Sequence, residues 1–95
     1  MSEAQSLQAA HDLIDALKVT KGGASDEEIR DIVTGGITND RDVLLDEVRY
    51  QFKHGRFYDA GARRALEKVA AMDDYGRAAV CAFATMIIRD RAADA

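Results

Sequence analysis

A chain of 95 residues with 47% hydrophobic and 32% charged side chains has enough aliphatic surface for one core and too much for a disordered tail. Its single cysteine, Cys81, excludes an intramolecular disulfide, and the longest apolar run, Ala78 to Ile88, falls well short of the ~20 residues that cross a bilayer. Met1 to Ala10 lacks the basic and apolar blocks of a signal peptide, so one cytoplasmic, non-membrane domain over residues 1–95 is expected, with an Ala, Arg, Asp and Gly richness that fits a bacterial or phage source.

There is no proline, and the glycines fall mostly where helical periodicity breaks. The pattern predicts an all-α fold, a compact bundle of about five short helices with a buried apolar C-terminal helix. The first runs from about Glu3 to Thr20, with Leu7, Ala10, Leu13, Ile14 and Leu17 on one face and Gly22 and Gly23 as its stop. Ser25-Asp26-Glu27-Glu28 is a capping box, because the serine hydroxyl can accept from the third backbone N–H while Glu28 reaches back to the cap. The helix it starts buries Ile29, Ile32 and Val33 and is expected to end at Gly35 and Gly36. Thr38 or Asn39 caps a third helix to about His54, with Leu44, Leu45, Val48 and Phe52 facing inward and Gly55 as its stop. Asp59 caps a fourth, to about Met72, carrying Ala62, Leu66, Val69 and Ala70. Asp73 caps a fifth, to about Arg91.

The fifth helix leaves almost no polar side between Ala79 and Ile88, and a helix apolar all round is one that is covered all round. Either the other helices wrap it, or residues 78–88 also supply a homodimer surface. On this reading a carboxylate at Val80 or Phe83 unfolds the domain.

The net charge of −4 is unevenly laid out. From Ala24 to Glu47 eight acids face two bases, and from Val48 to Arg77 seven bases face four acids, so the two stretches have opposite sign. Acids at helix starts and bases at helix ends offset the helix dipole, which explains part of the layout without a partner. The rest forms two candidate surfaces. Tyr50, Lys53, Arg56, Tyr58, Arg63 and Arg64 mix aromatic rings with cations, as protein hot spots do and as single-stranded nucleic-acid sites also do. Asp40, Asp42, Asp46 and Glu47 form an acidic face suited to a basic partner, including one that handles nucleic acid.

Chemistry-bearing patterns are thin. Cys81 lies mid-way along the apolar helix, where burial raises a thiol pKa and blocks access. His11 and Asp15 share a helical face but lack further metal ligands at a recognisable spacing. Asp40-Arg41-Asp42 has the start of a calcium loop without its glycine, and neither glycine pair is followed by the Lys-Ser/Thr of a phosphate loop. No catalytic set, metal site or cofactor is therefore expected. The function expected from these residues is a non-enzymatic, stoichiometric protein-binding regulator or inhibitor. The alternative is a helical nucleic-acid-binding regulator using residues 49–68.

Overall fold

The computed structural model describes residues 2–18, 25–37, 44–46, 49–50, 53 and 60–94. The fold is the all-α bundle predicted, with helices α1 (Glu3–Lys18), α2 (Asp26–Ile37), α3 (Ala60–Ala70) and α4 (Asp74–Asp94). Residues 44–46, 49–50 and 53, in the span of the predicted third helix, are also helical, while its caps and its stop lie outside the described residues.

Local chemistry accounts for the helix starts. At α2 the capping box closes as predicted, Glu28 N–H donating to Ser25 Oγ at 3.2 Å and Ser25 N–H to Glu28 Oε1 at 3.3 Å. The same device opens α1, where Gln5 N–H donates to Ser2 Oγ at 3.2 Å and Ser2 N–H to Gln5 Oε1 at 2.8 Å. Asp73 caps α4 by accepting from Gly76 N–H at 2.7 Å. Lys18 at the end of α1 pairs with Asp26 at the start of α2, two charges also well placed for their helix dipoles.

The core is built on α4, which packs against α1, α2 and α3. Val80, Cys81, Ala84 and Ile88 of α4 meet Ala10, Leu13, Ile14 and Leu17 of α1, Ile29, Ile32 and Val33 of α2, Leu44, and Ala62, Leu66, Val69 and Ala70 of α3 in one buried cluster. Three expectations are corrected. Helix α2 runs on through Gly35 and Gly36 to Ile37, because Gly36 is buried against Cys81 and serves close helix approach instead of a turn. Leu7 sits at the edge of the α1 stripe and is exposed, while Ser6 is buried. The last helix is not wrapped by this chain alone: its neighbours take one face, Met86 on the opposite face is half exposed, and Phe83 is only partly buried.

Candidate protein-contact surface

Helical geometry sorts α4 into two sides. Arg77, Val80, Cys81, Ala84 and Ile88 point into the bundle, and Tyr75, Ala79, Ala82 and Met86, at steps of four, three and four, point away from it. Between Asp74 and Arg89 the only charged residue in the sequence is Arg77, and its side chain is fully buried, with Nη1 3.0 Å from Asp74 Oδ1. The outward face is thus uncharged along this stretch. Tyr75, 88% exposed, stands at its start, and Met86, 51% exposed, near its end.

Two grooves flank α1, the first of them beside this face. One, of about 630 Å³, runs between α1 and α4, with Glu3 and Ser6 on one wall and Tyr75, Ala79 and Phe83 on the other. The second, of about 410 Å³, runs between α1 and α3. Its α3 wall carries Arg64 and Lys68, one turn apart and both exposed, its α1 wall carries Asp12, and Ala9, Leu13, Ala65 and Val69 lie between. Met72 lines both grooves, so the two adjoin at the turn between α3 and α4.

Of the basic and aromatic residues singled out in the sequence, Tyr50 and Lys53 are exposed. Arg63 and Arg64 are exposed at the start of α3 but engaged differently: Arg63 Nε bonds Glu67 Oε1 at 2.9 Å, while Arg64 lines the α1–α3 groove. Arg56 and Tyr58, which would join the two pairs, lie outside the described residues. In the acidic set Asp46 is exposed and pairs with Arg49 at 3.3 Å, while Asp40, Asp42 and Glu47 lie outside the described residues. Part of the charge segregation is local structure, since Asp26 pairs with Lys18, Glu28 closes a cap and Arg77 belongs to the core.

Sequence reasoning missed Tyr75 and the grooves. The signal was present in the spacing of Tyr75, Ala79, Ala82 and Met86, but an apolar helix does not reveal which of its faces the bundle takes. Cys81 is fully buried, and that burial pushes its thiol up to about 11, against a smaller lowering by the Arg77 guanidinium. Among the described residues no helix is long and apolar enough to cross a membrane, and no three His, Cys, Asp or Glu side chains are grouped to hold a metal ion.

Comparison with known proteins finds no matching family model, no similar curated protein and no similar solved structure.

Proposed function

We propose that this chain is a stoichiometric protein-binding regulator or inhibitor whose partner covers the outward face of α4 and the grooves beside α1. The observation that carries the reading is the uncharged face from Tyr75 to Met86, with a tyrosine ring almost wholly in water at one end and a methionine half exposed at the other. A solvated helix face ordinarily carries charge, and large exposed aromatic and thioether groups on a rigid element are typical anchors of protein interfaces. Of the basic and aromatic set of Tyr50, Lys53, Arg56, Tyr58, Arg63 and Arg64, Arg64 lines one of these grooves, and the set is kept as a candidate contact for the same partner. The acidic set of Asp40, Asp42, Asp46 and Glu47 is the second surface, for a basic partner. A homodimer through residues 78–88 uses the same α4 face. The nucleic-acid alternative draws on residues 49–68, where Arg49 and Arg63 are each engaged by a carboxylate and so offer phosphates less charge.

The test compares wild type with Tyr75→Ala and Met86→Glu in a pull-down from host lysate, with light scattering on each protein. Both residues are exposed, so the melting temperature stays within a few degrees of wild type. Loss of one specific captured protein in both variants is the expected result, with Tyr75→Ala costing about 1 to 3 kcal/mol of binding. Conversion of a wild-type dimer to monomer by Met86→Glu would assign the face to self-association. Capture indifferent to both substitutions would remove α4 as the contact.

A further inference from the structure

We infer that the groove between α1 and α3 receives an amphipathic helix of a partner protein, lying with a row of carboxylates over Arg64 and Lys68. The inference rests on the protein-binding reading above and names the chemistry of the partner. Three features carry it. The groove is walled by two helices, with Ala9 and Ala16 of α1 and Gly61 and Ala65 of α3 half-buried along it and the core residues Leu13 and Val69 at its floor. Small residues dominate both walls, which permits a third helix to approach closely, and the lining is apolar enough to seat its leucine-sized side chains.

The edges differ in sign. Along α3, Arg64 and Lys68 form a cationic row one turn apart and exposed to solvent. Asp12 stands on the α1 edge, where it accepts a hydrogen bond from Gln8 Nε2 at 2.9 Å. This polarity favours a helix with acids along one flank, and it fixes which flank lies over α3. A basic helix would meet Arg64 and Lys68 unfavourably. A nucleic-acid strand would gain from those two cations but meet Asp12 and an apolar floor that, among the described residues, offers no ring side chain for bases to stack on.

The experiment uses the full chain and two fluorescein-labelled peptides of about five helical turns, each with leucines on one face and either glutamates or lysines on the flanks. The glutamate peptide should bind more tightly than the lysine peptide at low salt, and the difference should shrink as salt rises. The double substitution Arg64→Glu, Lys68→Glu should weaken the glutamate peptide about tenfold and invert the preference, with an unchanged melting curve because both residues are exposed. Equal binding of both peptides, or a preference indifferent to the double substitution, overturns the inference. So does tighter binding of an oligothymidylate than of the glutamate peptide, or a dimer that the double substitution converts to monomer. If the protein captured through Tyr75 is held equally well by the doubly substituted chain, this groove is excluded while the protein-binding reading stands.

Discussion

Gly36 of α2 stands directly against Cys81 of α4: a Cβ placed at position 36 would overlap the Cys81 Sγ and lie 3.4 Å from its Cβ. Leu44 Cδ2, 3.6 Å from the same point, makes only ordinary contact. The missing methyl at position 36 therefore sets how closely the second and last helices approach, and the small thiol opposite it completes the fit.

The Gly36→Ala protein should consequently be less stable than wild type. Alanine gains at most about 0.5 to 1 kcal/mol over glycine in a helix, the full gain belonging to its middle, but overpacking a closed core costs about 1 to 3 kcal/mol, and the second effect wins while Sγ is present. Removing the sulfur reverses the balance. Urea unfolding of Gly36→Ala, Cys81→Ala and the double variant should show a coupling of about 1 kcal/mol or more, with the double variant more stable than the sum of the singles predicts. Additive losses would mean that the two positions are not in contact.

The second prediction concerns alkaline pH. The Cys81 thiol is raised by burial from 9.0 to about 11, so the folded chain holds its proton to higher pH than the unfolded chain does. Its contribution is complete below pH ~9 and is lost as pH rises toward ~11, the direction that follows when the unfolded state binds fewer protons. Between pH ~8 and ~10.5 wild type should lose on the order of 2 kcal/mol more stability than Cys81→Ala, in which lysines and tyrosines titrate as before. Parallel stability curves for the two proteins would show that the thiol ionises in the fold as freely as outside it. The same burial makes the thiol slow to react with alkylating reagents at neutral pH unless the chain opens.

The third prediction separates two neighbours on α4. Val80 is fully buried, so Val80→Asp places an unpaired carboxylate among aliphatic side chains and should abolish the cooperative melt. Phe83 is only partly buried, at the wall of the α1–α4 groove, where a carboxylate can reach water. Phe83→Asp should therefore remain helical, with a loss of about 1 to 3 kcal/mol. Circular dichroism melts decide it: an unfolded Phe83→Asp protein would move that ring into the core.

The residues of this chain determine its helices by local chemistry. Ser25 and Glu28 close a cap within one turn, Asp73 does the same for Gly76, and the spacing of Ala10, Leu13, Ile14 and Leu17 selects a buried stripe, all within a few residues of sequence. Such signals need no distant partner to be read. Gly36 shows where they fail: a glycine near a helix end has the same local signature whether it stops the helix or admits a neighbour, and only the position of Cys81, far along the chain, distinguishes the two. Arg77 likewise counts toward the basic stretch in the sequence, and only the packing of α4 turns it inward beside Asp74. Tyr75 and Met86 become a surface for the same reason, because periodicity shows that a helix is apolar on several sides while only tertiary packing selects the side left facing water.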